Sequence, residues 1–147
     1  MTPGGETVID GLAPNAVIPH AMSTQSAVPL PLSPRDARRA LESILAANDW
    51  HGDVDGVVLA VHEALINAES HGHGLSRVAA SVDGEHLVVE VCDVGEGLGC
   101  GWPAALPSDP LAERGRGMWL ISQIARRVEV HQGPSGVCLR LRFVGNA

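Results

Sequence analysis

The 147-residue sequence predicts an α+β fold, a two-layer α/β sandwich in which helices cover one face of a mostly antiparallel sheet. Three observations predict it. Strand-like segments come in consecutive pairs joined by short Gly-containing turns, as antiparallel hairpins do. No strand–helix–strand crossover repeats, so the pattern of a parallel sheet is missing. The helical segments carry their apolar residues on one stripe, which gives each helix one face to bury. Apolar residues make up 45% of the chain and charged residues 18%, a globular balance. With aromatics at 3% and no Tyr, the core has to be built from Val, Leu, Ile and Ala.

In chain order, residues 1–26 are rich in Gly, Pro, Ser and Thr without a sustained period. They read as a flexible tail in which Thr7-Val8-Ile9 is able to form a short strand, and the domain is expected over 27–147. Ala27–Leu32 alternates apolar residues with Pro, which lacks a ladder donor, so it is an edge strand at best. Ser33-Pro34-Arg35-Asp36 supplies an N-cap, a first-turn Pro and an acid. The stripe Ala37, Ala40, Leu41, Ile44, Leu45 then predicts a helix ending near Asn48. A second helix is predicted from about Asp53 to His71, closed by Gly72, with apolar positions Val54, Val57, Val58, Val61, Leu65 and Ile66 and small ones at Ala64 and Ala68. Arg77–Val82 and His86–Asp93 follow as a hairpin around Asp83-Gly84.

From Val94 to Arg114 the chain is rich in Gly and Pro without a usable period, and a loop of that length is usually functional or disordered. A third helix starts near Gly115 and runs through Ile121, Ile124 and Ala125. Val128–Gln132 and Val137–Val144 form a closing hairpin around Gly133–Gly136. In its second strand Val137, Leu139, Leu141 and Phe143 alternate with Cys138, Arg140 and Arg142, a half-buried pattern.

Charge and cysteine content exclude several function classes. The formal charge is −7, all ten basic residues are Arg, and there is no Lys. An acidic chain without a basic run is a poor binder of nucleic acid or anionic membrane, and a Lys-dependent phosphate loop is excluded outright. No run approaches the ~18–20 apolar residues of a membrane span, and no basic-then-apolar leader pattern is present. Cytoplasmic localisation is the expectation. Cys92, Cys100 and Cys138 are well separated with no Cys-x-x-Cys, so they read as small buried or half-buried hydrophobes in a reducing compartment.

Three short segments carry chemistry. Glu63 and Asn67, four apart on the second helix, share one face. A carboxylate there can orient or deprotonate a hydroxyl, while the amide oxygen serves a hard cation such as Mg²⁺. Asp93-Val94-Gly95-Glu96-Gly97 places an acid at a strand end before alternating glycines. The carboxylate can accept from an exocyclic amine, and glycine lets the backbone approach a flat ring. It is not a dinucleotide fingerprint, because Cys100 occupies the third glycine position and Trp102-Pro103 precludes the following helix. Gly115-Arg116-Gly117-Met118 opens a helix, where free N–H groups and the dipole suit phosphate.

Together, Glu-x-x-x-Asn, Asp-x-Gly-x-Gly and Gly-x-Gly resemble, in order, the ATPase superfamily of histidine kinases, type II topoisomerases, heat-shock chaperones and mismatch-repair ATPases. Val61–Ala68 with His71-Gly72, and Gly115–Ile121, are most similar to the anti-sigma-factor serine/threonine kinases. The similarity covers roughly Val28 to Phe143. The resemblance implies a histidine-kinase-like ATPase fold with ATP and Mg²⁺ as cofactors. It assigns Glu63 as general base toward a partner's Ser or Thr, Asn67 as the Mg²⁺ ligand and Asp93 as the partner of the adenine amine. Gly95 and Gly97 would shape the base pocket, Gly115, Arg116 and Gly117 would hold phosphate, and residues 96–114 would form a lid. His71 and Met118, inside the two matching boxes, join the nucleotide set.

The implied partners are a sigma factor, held by a homodimer, and a STAS-type anti-anti-sigma protein that the kinase phosphorylates. No direct nucleic-acid or membrane partner is implied. Where the family's last strand often opens Gly-Thr, this chain has Gly136-Val137, and the Val side chain cannot support the pocket by hydrogen bonding. A nucleotide-sensing regulator of the same fold, without phosphate transfer, is the alternative. A sensor histidine kinase fragment would need a phosphoacceptor helix for which there is no room. His71-Gly72-His73 lacks a third metal ligand nearby, and Trp102 and Trp119 are either partner anchors or buried under the lid or against the sheet.

Overall fold

Six strands form one antiparallel sheet in the computed structural model, which describes residues 6–8, 27–71, 74–94, 116–133 and 136–146. In chain order the elements are β1 (Glu6–Val8), β2 (Val28–Pro29), α1 (Pro34–Ala47), α2 (Val54–His71), β3 (Leu75–Asp83), β4 (His86–Asp93), α3 (Arg116–Ile124), β5 (Arg127–Gly133) and β6 (Gly136–Val144). The strands lie in the order β1-β5-β6-β4-β3-β2, so the two Pro- and tail-derived strands occupy the edges. The predicted two-layer α+β sandwich is therefore the observed one. The Pro-rich segment does contribute an edge strand. Glu6–Val8 joins the sheet against β5, one residue earlier than the segment read from sequence, while the rest of the expected tail lies outside the described residues.

Local chemistry explains the elements. Ser33 Oγ accepts from the Asp36 N–H at 3.5 Å, with Pro34 in the first turn of α1. Asp53 caps α2 by accepting from the Gly56 N–H at 3.0 Å. Gly84 supplies the positive φ (62°) needed for the two-residue turn between β3 and β4, where Asp83 pairs with His86. Among the described residues no helix is long and apolar enough to cross a membrane.

The core lies between the helices and one sheet face. Val57, Ala60, Val61, Ala64, Leu65 and Ala68 of α2 meet Leu87, Val89 and Val91 of β4 and Val137, Leu139, Leu141 and Phe143 of β6, all buried. Three residues of the predicted helix stripe fall outside this set: Val54 and Val58 are half-buried and Ile66 is exposed. The buried stripe is narrower and richer in Ala, which lets α2 lie close to its neighbours. Trp50, within the α1–α2 connection, is buried and donates its indole N–H to the Glu85 carbonyl at 2.9 Å.

The opposite sheet face departs from the simple alternation read from β6. Arg140 is buried there, donating from Nη2 to Glu90 Oε2 at 2.9 Å, and Arg77 pairs with the other Glu90 oxygen. Arg142 Nε donates to the buried Glu129 at 2.8 Å. Apolar periodicity alone misses a residue such as Arg140, because it is buried only together with an acid on the neighbouring strand.

The expectation of reduced cysteines is overturned for Cys92 and Cys138, while their burial, full for Cys92 and partial for Cys138, is as expected. Cys92 and Cys138 form a disulfide, their Cα atoms 4.0 Å apart. They are direct register partners on adjacent strands, β4 and β6. Their separation of 46 residues hid the pairing, since only the strand order brings the two positions together.

Candidate functional site

The site begins with the two half-buried polar residues on the flank of α2. Because the buried stripe runs through Ala60, Ala64 and Ala68, Glu63 and Asn67 stand at its border on successive turns. On β4 the alternation that buries Leu87, Val89 and Val91 continues to Asp93, so this carboxylate ends an otherwise apolar row on the helix-facing side. It is only 2% exposed.

The Asp93 corner is held from several sides. The β4–β6 ladder ends at the Cys92–Cys138 pair, and beyond it the Val137 N–H donates to Asp93 Oδ1 at 3.0 Å. The carboxylate thus takes the place of the next backbone acceptor. The Asp93 carbonyl accepts from Ser76 Oγ at 3.1 Å, and the Val94 N–H donates to the Gly74 carbonyl at 2.9 Å. A buried carboxylate bonded to a backbone amide is fixed in orientation and presents an acceptor toward whatever occupies the adjoining space.

Gly136 makes this approach possible. Its φ is +145°, and a Cβ there would lie 2.3 Å from the Asp93 carbonyl oxygen and 3.0 Å from Oδ1. Gly136→Ala should therefore push β6 away from Asp93, costing about 1–3 kcal/mol through strain and overpacking. Gly84→Ala, where nothing lies within 4 Å, meets backbone strain alone. Hydrogen exchange should show the Val137 amide losing protection in Gly136→Ala and keeping it in Gly84→Ala. Equal protection in both would refute the clamp.

Chain direction brings the end of α2, Asp93 and the start of α3 to one end of the molecule. α2 ends at His71, and the chain re-enters the sheet at Leu75, the register partner of Asp93. β5 leaves the end of α3 and runs to Gly133, beside Gly136 and hence Asp93, so α3 starts at the Asp93 end. The other ends also agree. Trp50, Asp53 and Val57, near the start of α2, line one cavity with Gln123 and Ile124 from the end of α3. α2 and α3 pack together, so α3 runs from the Asp93 side of the molecule toward the start of α2.

Of the residues singled out from sequence, Asp93 lies at this end, Asn67 about one turn before the end of α2 and Glu63 at the middle of α2. His71 is the last residue of α2, and Arg116, Gly117 and Met118 form the first turn of α3. Gly95, Gly97, Gly115, Trp102, His73 and the whole 96–114 segment lie outside the described residues. Trp119 is half-buried on α3. Among the described residues no group of three His, Cys, Asp or Glu could hold a metal by itself. An amide oxygen such as that of Asn67 suits a Mg²⁺ that keeps most of its coordination for phosphate and water, so the donor set fits.

The Val137 departure matters less than the sequence suggested. The side chain offers no hydroxyl, but its backbone N–H makes the bond to Asp93. Sequence reasoning missed Gly136 and Ser76 as supports of the corner. The first had a signal, a glycine just before an alternating strand, whereas the second had none.

The family model of the histidine kinase-like ATPase domain matches residues 29–143. No curated protein matches the chain.

Proposed function

The chain belongs to the histidine kinase-like ATPase domain family, and from that premise we propose that it is an ATP-binding anti-sigma regulator. In this reading it sequesters a sigma factor as a homodimer and phosphorylates a Ser or Thr of a STAS-type anti-anti-sigma protein. Family membership supports ATP binding. The single observation that carries it is the buried Asp93 carboxylate, fixed by the Val137 amide at the end of β4.

Asp93 accepts a hydrogen bond from the adenine amine, and the backbone at the start of α3, with Arg116, holds phosphate. Asn67 is the residue that would hold Mg²⁺, which when bound neutralises phosphate charge. Glu63 takes the proton of the partner's hydroxyl as its oxygen attacks the γ-phosphorus. The bond to the β-phosphate oxygen breaks, and ADP leaves. A sensor without transfer would need Asn67 and Asp93 but no base at Glu63. The altered last strand that spoke for such a sensor retains its bond to Asp93 through the backbone.

The test is incubation with γ-labelled ATP, Mg²⁺ and a panel of STAS-type proteins. Label is expected on a Ser or Thr of one of them. Binding of ATP with no transfer to any member would leave the nucleotide site standing and refute the kinase.

A further inference from the structure

The Cys92–Cys138 disulfide has no part in the chemistry proposed above, yet it sits beside the residues that carry it. Cys92 immediately precedes Asp93, and Cys138 immediately follows Val137. Their side chains project from the sheet face opposite the helices, while Asp93 and Val137 face the helices. The bridge is also the last register pair between β4 and β6. Past it the two strands are joined by the Asp93–Val137 side-chain bond, with Gly136 packed on the Asp93 carbonyl. The covalent link therefore pins the two central strands where regular backbone pairing ends and the carboxylate takes over.

We propose that Cys92–Cys138 is a reversible redox modification site that controls the order of the Asp93 corner. Its consequence for nucleotide affinity rests on the function proposed above. In the closed form the strand ends are held together and the Val137 N–H stays on Asp93. In the open form the terminal rungs fray, as strand ends do when a constraint is removed, and Asp93 is oriented for only part of the time.

Chemically, a dithiol is the reductant and a hydroperoxide the oxidant. A thiolate of the dithiol attacks the sulfur of the half-buried Cys138, and Cys92 leaves as a thiolate that takes up a proton. The second thiol of the reductant then displaces Cys138, so two electrons and two protons pass to the protein and the reductant becomes a cyclic disulfide. In the reverse direction the two protein thiols reduce a hydroperoxide to an alcohol and water as the bridge reforms.

The experiment uses the full chain, once treated with hydrogen peroxide and freed of excess oxidant, and once treated with dithiothreitol. Free thiols are counted, hydrogen exchange is followed at the Val137 amide, and ATP affinity is measured in both states. Reduction should raise the count from one thiol to three, lower Val137 protection and weaken ATP binding about 3–10-fold, as the binding-competent fraction falls. Cys92→Ser should match the reduced parent and ignore dithiothreitol, while Cys100→Ser should respond as the parent does. If Cys92→Ser does not fold, the reduced parent supplies the same comparison. Unchanged Val137 protection on reduction would overturn the proposal. Altered protection in a protein that binds ATP in neither state would support the redox coupling and refute the nucleotide reading alone.

Discussion

Glu63→Ala is expected to lower phosphate transfer to the partner protein by about 10²–10⁴-fold, the usual contribution of a positioned general base. ATP affinity should stay within about twofold of the parent, because a base that acts only in transfer adds nothing uniform to binding. Glu63 is half-buried at the border of the α2 stripe, and Ala is the best helix former, so the helix should survive the change. The split between lost transfer and retained binding sets this residue apart from a structural one. Transfer equal to that of the parent would remove Glu63 from the mechanism, and loss of both together would make it a binding or folding residue.

Asp93→Asn should act in the opposite way, on binding. In the parent, Oδ1 accepts from the Val137 N–H and the group is 2% exposed, so no water can substitute readily. An Asn can keep the Val137 bond through its oxygen, but its NH₂ then meets the adenine amine, donor against donor. Turned over, it sets the NH₂ against the Val137 N–H instead. Either way one charge-assisted bond is lost, worth about 1.5–3 kcal/mol. At about 1.4 kcal/mol per decade, ATP affinity should fall on the order of 10–10²-fold. Calorimetric titration checks it, with circular dichroism to show that the fold persists. Undiminished affinity in a folded Asp93→Asn protein would mean that Asp93 is a structural clamp alone.

Much of this architecture is written locally. The Ser33-Pro34 start of α1, the Gly84 turn and the alternation of Val137, Leu139, Leu141 and Phe143 all act over a few residues. The Glu63–Asn67 spacing and the position of Asp93 at a strand end are equally local, so these candidates could be named from sequence. What escaped depends on which strands become neighbours. Cys92 meets Cys138, and Glu90 meets Arg140, only because β6 lies beside β4 and not simply beside its hairpin partner β5. Gly136 looked like one end of a turn, and its contact with Asp93 arises from the same adjacency. Ile66 fits the helical period yet faces outward, because the sheet covers only the narrower Ala-rich stripe of α2.

The corner at Asp93 also makes a statement about base identity. An oriented acceptor suits the amine of adenine, whereas guanine places a carbonyl oxygen there and leaves two acceptors facing each other in a buried site. Equilibrium titration of the full chain with ATP, ADP and GTP in the presence of Mg²⁺ tests this most directly. The account predicts one saturable site per chain for ATP and ADP and little binding of GTP. No saturable ATP binding up to millimolar concentration, or GTP bound as tightly as ATP, would contradict it.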